Sequence, residues 1–161
     1  MPTKSKVYLG LGSNLGDRNA LLDEAEALIG RQIGPIVRKS SRYETEPIGF
    51  QSEHAFLNEA LEVATSLMPL ALLDETESIE RRLGRTGKST GGGYHDRPID
   101  IDILLYDDLR VSIQRLTLPH PHLHERQFVL DPLAEIAPDA EHPTLHRSIA
   151  SLLEEIKKRI P

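Results

Sequence analysis

Between Val7 and Tyr106 the hydrophobic period of the chain switches from two to 3.6 and back, and the order of those switches limits the fold more than any other feature. Val7-Tyr8-Leu9-Gly10-Leu11-Gly12 is a short β-type run that ends in the turn-rich stretch Ser13-Asn14-Leu15-Gly16-Asp17. From Arg18 onward Leu21, Leu22, Ala25, Leu28 and Ile29 fall on one helical face, with Asp17 placed as N-cap and Gly34-Pro35 as a stop. Ile36 to Tyr43 reads as a second strand, broken by Glu46-Pro47-Ile48-Gly49. Ala55 to Thr65 alternates Phe56, Asn58 and Ala60 against Leu57, Glu59 and Leu61, the pattern of a strand with two different faces. Pro69 suits a helix start, and Leu72, Leu73, Thr76, Ile79 and Leu83 carry a helical stripe to Gly84. Ile99 to Tyr106 is a further strand.

The resulting order, β-α-β-β-α-β, predicts an α+β fold with a ferredoxin-like core, a mainly antiparallel sheet covered by helices. A C-terminal extension follows. It holds a return strand around Val111, an extended piece at 116–118, a helical turn or two from Glu125 to Leu130, and an amphipathic helix from Thr144 to Arg159. Gly84 to Arg97 contains five glycines and no hydrophobic period, so a mobile loop is expected there. No repeat, low-complexity tract or linker parts the chain, and a single domain over residues 1–161 is expected.

Composition then excludes whole classes of function. The chain has no Cys, which removes disulfide scaffolds, Cys-based zinc sites and thiol catalysis together. Nineteen Lys+Arg against 25 Asp+Glu give a net charge of −6, which argues against a sequence-independent grip on nucleic acid. A ferredoxin-like RNA-binding module would also need exposed aromatics on a basic sheet face, and three Phe and four Tyr do not offer one. No apolar run approaches the roughly 18 residues of a membrane span. The start, MPTKSKVYLGLGSN, is not read as a signal peptide, so a cytoplasmic protein is expected.

The sharpest local signal is Arg97-Pro98-Ile99-Asp100-Ile101-Asp102-Ile103-Leu104-Leu105. On a strand, residues two apart share a face, so Asp100 and Asp102 project together while the isoleucines line the opposite side. Two adjacent carboxylates repel unless a cation sits between them. Mg²⁺ fits, because it takes one or two carboxylates and completes its shell with water and substrate phosphates. A solvated sheet face with basic residues opposite the acids fits the same pattern. Gly87-Lys88-Ser89 ends like a phosphate-binding P-loop, but that motif requires glycine where Arg82 stands, and a helix rather than a strand precedes it. Gly10-x-Gly12 fails as a dinucleotide fingerprint, since Leu15 replaces its third glycine. Pro119-His120-Pro121-His122-Leu123-His124-Glu125-Arg126 packs three histidines and an arginine into one turn. Contact of one histidine and Arg126 with an anionic ligand is preferred there to a zinc site. Phe56 and Phe128 are candidate stacking partners for a planar ligand, and Asn58, on the face of Phe56, offers an amide for a heterocycle's edge.

Taken together, these segments resemble the 6-hydroxymethyl-7,8-dihydropterin pyrophosphokinase family of folate biosynthesis. The resemblance runs through Tyr8 to Gly16, Tyr43 to Gly49, Phe56-Leu57-Asn58, Arg97 to Leu104, Leu118-Pro119-His120 and Arg126 to Leu133, in the family's order. It implies transfer of pyrophosphate from ATP to the pterin's hydroxymethyl group. Asp100 and Asp102 are similar to a pair that holds two Mg²⁺ ions, and Arg85 and Arg97 to catalytic-loop arginines that neutralise developing charge. Glu77, Glu80, Arg115, Thr117, His120 and Arg126 resemble ATP contacts. Phe56 and Phe128 resemble an aromatic pair around the pterin, whose edge Asn58 and groups near Thr45, Glu46 and Ile48 would read. The implied partners are ATP and a reduced pterin alcohol, with no nucleic acid and no membrane, acting on a monomer. A Mg-dependent phosphohydrolase or nucleotidyltransferase using the same aspartates is the alternative.

Overall fold

β1 (Ser5–Ser13) is the strand around which the others assemble. Its alternate residues go to opposite faces: Val7, Leu9 and Leu11 are buried on one, and Tyr8 on the other, where Gly10 and Gly12 follow. It pairs antiparallel with β4 (Phe56–Thr65) on one side and β5 (Asp100–Tyr106) on the other. β2 (Ile36–Lys39) and β3 (Tyr43–Thr45) both join the far edge of β4, giving the order β2-β4-β1-β5 with β3 also beside β4. The computed structural model describes residues 3–45, 55–84 and 98–159. Nearly all of the glycine-rich loop expected from Gly84 to Arg97 therefore lies outside the described residues.

The mainly antiparallel α+β plan predicted from the sequence is present, with one correction at the sheet edge. The single strand read from Ile36 to Tyr43 is two strands. Between them Ser40 exchanges hydrogen bonds with Ala60, its N–H donating to the carbonyl and its Oγ accepting from the N–H. Arg42 then turns away from the ladder toward the first helix.

Two helices cover one face. In α1 (Arg18–Gln32) the Asp17 carboxylate accepts from the Ala20 N–H at 3.1 Å, an N-cap bond, and Leu22, Ala25, Leu28 and Ile29 are buried. The helix stops before Gly34, where a Cβ would lie 2.0 Å from the Ala64 carbonyl oxygen, so only glycine lets the chain turn this close beneath β4. α2 (Pro69–Arg82) opens on Pro69 and buries Leu72, Thr76 and Ile79. These residues and the inward side chains of β1, β4 and β5 form one core.

A second core lies on the opposite face, where Tyr8, Ala60 and Leu104 meet α3 (Gln127–Ile136) and α4 (Ile149–Arg159). α3 is longer than the turn or two expected from Glu125 to Leu130, because the helix runs through Pro132. An interior proline costs about 3 kcal/mol. Burying Leu130, Leu133 and Ile136 at roughly 1.5–3 kcal/mol each outweighs it. α4 starts later than the predicted Thr144. His142 first takes the N–H groups of Thr144 and Leu145 on its Nδ1, closing a turn that must finish before the helix begins. The predicted return strand is the hairpin of β6 (Val111–Ile113) and β7 (Leu116–Leu118). α3 covers the second face around Ala60 and Leu104 but leaves a cleft over the end of the sheet that carries Gly12, Asn58 and Asp100.

Candidate active site

The floor of the cleft is glycine backbone. In the ladder Gly12 stands between Asn58 and Asp100, and Gly10 between Ala60 and Asp102. A Cβ on Gly12 would lie 2.9 Å from Asn58 Oδ1, and one on Gly10 would lie 3.3 Å from a Leu104 methyl. The space of the missing side chains is thus filled by the functional groups of the neighbouring strands. Thr45, Phe56 and Asn58 form one wall, Asp100, Asp102 and Leu104 the other. Arg126, which caps α3, and Phe128, Val129 and Pro132 of α3 stand over both. Neither glycine was a candidate in the sequence. The available signal was their spacing, since two glycines on one strand face weaken a strand and mark a close approach by another group.

On the first wall Asn58 is 7% exposed, and its Nδ2 donates to Thr45 Oγ1 at 2.7 Å, which fixes the amide's orientation. Phe56 pairs with Thr45 in the β3–β4 register, so ring and amide face the cleft side by side. At the N-terminal cap of α3 the Arg126 guanidinium lies 5.7 Å from the centre of the Phe128 ring, within cation–π range. Burial holds Arg126 below its ordinary pKa, and an arginine remains charged even so.

On the second wall Asp100 and Asp102 both face the cleft, as their spacing predicts, while Ile101 and Ile103 are buried beneath. The His120 N–H donates to the Leu104 carbonyl at 3.0 Å, which brings the ring to 3.9 Å (Nε2) from Asp102 Oδ2. Its Nδ1 accepts from the His122 N–H, so the hydrogen-bond network assigns the ring proton to Nε2, facing Asp102. Burial and then the charge of His122 hold His120 below its ordinary pKa, against the pull of Asp100. The two carboxylates suit Mg²⁺, which needs only one or two from the protein when phosphates complete its shell. Among the described residues no three His, Asp or Glu side chains gather as a metal site, so the histidine-rich turn holds no zinc cluster there. His124 is not simply a surface residue: its ring packs edge-on against His142 at 5.9 Å and its Nδ1 is buried.

A model of the 7,8-dihydro-6-hydroxymethylpterin-pyrophosphokinase (HPPK) family matches residues 8–138. The chain belongs to this family. A 2-amino-4-hydroxy-6-hydroxymethyldihydropteridine pyrophosphokinase of Porphyromonas gingivalis is 51% identical over 133 residues, covering 82% of this chain and 90% of its own. The enzyme of that name from Bacillus subtilis is 45% identical over 136 residues, with 84% and 80% covered. Among solved structures, the wild-type HPPK-DHPS of Plasmodium falciparum with pteroate superposes with a TM-score of 0.77 at 19% identity. That likeness concerns the fold. It covers 98% of this chain, which spans only 43% of that longer chain.

Among the described residues of this HPPK chain, Thr45, Phe56, Asn58 and Phe128 line one cleft with Asp100 and Asp102. Of the residues expected around ATP, Arg126 lines it too and His120 stands beside Asp102, while the others lie apart from it. Glu77 of α2 meets Arg115, whose Nη2 donates to Glu77 Oε1 at 3.1 Å and to Asp74 Oδ1 at 2.8 Å, all exposed. Thr117 and His120 line a second groove beyond the β6–β7 hairpin. Glu80 is buried instead, and its Oε2 accepts from the Ile101 N–H at 2.7 Å, between the two aspartates in sequence. Its carboxylate therefore holds the strand that carries them. Glu46, Ile48, Arg85 and Arg97, like Lys88, Tyr94 and His95, lie outside the described residues.

Proposed function

We propose that this chain transfers the pyrophosphoryl group of ATP to the hydroxymethyl group of 6-hydroxymethyl-7,8-dihydropterin, giving AMP and the pterin diphosphate in folate synthesis. One observation carries the reading: a paired-carboxylate wall and an aromatic–amide wall open onto the same glycine floor. A phosphohydrolase or nucleotidyltransferase built on the same aspartates has no use for an edge-reading amide beside stacking rings.

In this reading the pterin ring lies between Phe56 and Phe128, whose faces supply stacking area. The Asn58 amide, held by Thr45, reads the donor and acceptor edge, together with groups near Glu46 and Ile48. Asp100 and Asp102 hold two Mg²⁺ ions, which when bound neutralise the phosphates' charge and fix their orientation. The pterin hydroxyl oxygen bonds to the β-phosphorus of ATP, the bond from that phosphorus to the AMP oxygen breaks, and the hydroxyl proton leaves to solvent. Arg85 and Arg97 meet the negative charge that spreads as this occurs. His120, through its Nε2–H, and Arg126 donate to phosphate oxygens. Glu77, Arg115 and Thr117 contact ATP, with Arg115 leaving Asp74 to do so. Glu80 serves the site through β5. The whole of 1–161 acts as one domain, as a monomer in the cytoplasm. No helix among the described residues is long and apolar enough to cross a membrane.

The test is incubation with ATP, Mg²⁺ and the reduced hydroxymethylpterin, with nucleotides and pterins separated by chromatography. AMP should form only when the pterin is present, in equal amount to the pterin diphosphate. Orthophosphate released without the pterin would establish the phosphohydrolase instead.

A further inference from the structure

α3 carries Phe128 in its first turn, just after its cap residue Arg126, and two turns later it presents a carboxylate to the sheet. Glu135 follows Phe128 by seven residues, so both lie on one stripe of the helix. The Glu135 carboxylate accepts three hydrogen bonds, from Ser41 just before β3 and from Tyr43, its first residue. Tyr43 Oη donates to its Oε1 at 2.5 Å, while the Ser41 N–H and Ser41 Oγ reach its Oε2 at 2.9 and 3.2 Å. At the next residue, the Ile136 carbonyl accepts from Arg38 Nη1 at 3.1 Å. Tyr43 is paired with Asn58 in the ladder and lies two residues before Thr45, on the same face of its strand. The contact therefore joins the two structures that enclose the proposed pterin slot, the helix bearing Phe128 and the strand pair bearing Thr45, Phe56 and Asn58.

We propose that Tyr43 and Glu135 are positioning residues: their hydrogen bond sets the separation of α3 from β3, and with it the gap between Phe56 and Phe128 that admits the pterin. The inference rests on the pterin reading of the cleft. Neither residue lines that cleft. Pro132 interrupts the helical hydrogen bonds between the two residues, but Leu130 and Leu133 on either side of it are fully buried, so a displacement at Glu135 is carried to Phe128 through the packed body of α3. The bond is charge-assisted and therefore stronger than one between neutral groups. The hydrogen bond to Glu135, and then burial, push the Tyr43 hydroxyl up to about 12, and the same bond holds Glu135 below the ordinary carboxylate value. Both partners thus keep the protonation states the contact needs at any pH near neutral. Glu135 is exposed, so the contact adds little to global stability, and its effect is expected in ligand binding.

The experiment measures pterin KM, ATP KM, kcat and melting temperature in Tyr43→Phe, Glu135→Ala, Glu135→Gln and the double variant Tyr43→Phe/Glu135→Ala. Tyr43→Phe keeps the ring and removes the hydroxyl. Its pterin KM should rise about 3- to 10-fold, the equivalent of one net hydrogen bond, with ATP KM and kcat within about twofold. Glu135→Gln retains an acceptor for Tyr43 and should recover most of the loss seen in Glu135→Ala. The double variant should be no worse than Glu135→Ala, since the two residues act as one unit. Equal losses toward ATP and pterin, or a fall in kcat that tracks a fall in melting temperature, would make the contact merely structural and overturn the proposal. Phe128→Ala and Asn58→Ala separate it from the reading beneath it. If these two lose pterin affinity while Tyr43→Phe and Glu135→Ala keep the parent value, the positioning role is wrong and the cleft assignment stands. If all four keep the parent value, the cleft is not the pterin site and both fall.

Discussion

Replacing Gly12 by alanine tests the geometry of the cleft with one methyl group. The new Cβ would lie 2.9 Å from Asn58 Oδ1, closer than real Cβ atoms approach a heavy atom, and at an ordinary 3.5 Å from Phe56 Cδ1. Asn58 must therefore move, and its amide is held on the other side by the 2.7 Å bond to Thr45 Oγ1. If the amide rotates away, the ligand's edge loses a donor and an acceptor together. At about 0.5–1.5 kcal/mol net for each hydrogen bond, the loss is roughly 1–3 kcal/mol, or about 5- to 150-fold in pterin affinity. Stability should change far less. Alanine relieves a glycine's conformational cost of roughly 0.5–1 kcal/mol in a strand, which offsets the weakened Asn58–Thr45 bond. The assay is calorimetric titration of the reduced hydroxymethylpterin into protein saturated with a non-hydrolysable ATP analogue and Mg²⁺. Gly10→Ala is the control, because its Cβ meets the Leu104 side chain, which can give way at 3.3 Å. A folded Gly12→Ala protein that binds pterin as well as its parent would refute Asn58 as the edge reader.

Asp100→Ala and Asp102→Ala should each abolish turnover and leave the melting temperature nearly unchanged, since both face the cleft rather than the core; unfolded variants, or turnover kept with Mg²⁺, would contradict the metal assignment. Phe128→Ala should weaken pterin binding by about tenfold or more while affinity for an ATP analogue stays within about threefold, measured by the same titration. Glu59 gives a pH dependence of stability. Burial, and then Glu26, raise its pKa from the ordinary 4.5 to about 8, so between these values the folded chain holds a proton that the unfolded chain has released. The unfolded state then binds fewer protons, and stability falls as pH rises through that window. Denaturant midpoints should decline between about pH 5.5 and 8 in the parent, and Glu59→Gln should flatten that decline.

What the sequence made legible were features that depend on spacing alone. The period of two in Ile99 to Leu105 placed Asp100 and Asp102 on one face, and the same period aligned Phe56 with Asn58. The helical stripe of α1 and its Asp17 cap were readable because both are local. α3 runs past the turn or two expected from Glu125 to Leu130 because burial of Leu130, Leu133 and Ile136 against a sheet face assembled from distant strands holds the helix through Pro132. For Glu80 the family resemblance implies an ATP contact, and an acid on a helix before a loop carries no mark in the sequence of which way it faces. Its bond to the Ile101 N–H depends on how α2 packs on β5. Gly10 and Gly12 acquire meaning only from the register that sets Asn58, Asp100 and Asp102 beside them.

The least legible feature supports the site from behind. Glu59 alternates with Leu57 and Leu61, so by pattern it is a charge on the core face of β4, and its side chain is 1% exposed. An isolated carboxylate there would be costly to bury. Arg42 resolves the conflict by placing its N–H groups on α1 and β4 together. Nε donates to Glu59 at 3.2 Å, Nη1 to the Asn19 carbonyl and side chain at 3.3 and 2.8 Å, and Nη2 to Asp23 and Glu26 at 2.7 and 3.1 Å. Lys39 adds a second cation on Glu26 at 3.1 Å. Asp23, Glu26 and Glu59 thus share two cations, and Glu59, the most buried of the three, is the one that keeps a proton. Arg42 immediately precedes Tyr43, so the network ties the start of β3 to α1 and β4 while Glu135 ties Tyr43 to α3. A three-residue strand has little ladder of its own to hold it. Fixed on both sides, β3 can present Thr45 to Asn58 in one orientation, which is what an amide that reads a ligand's edge requires.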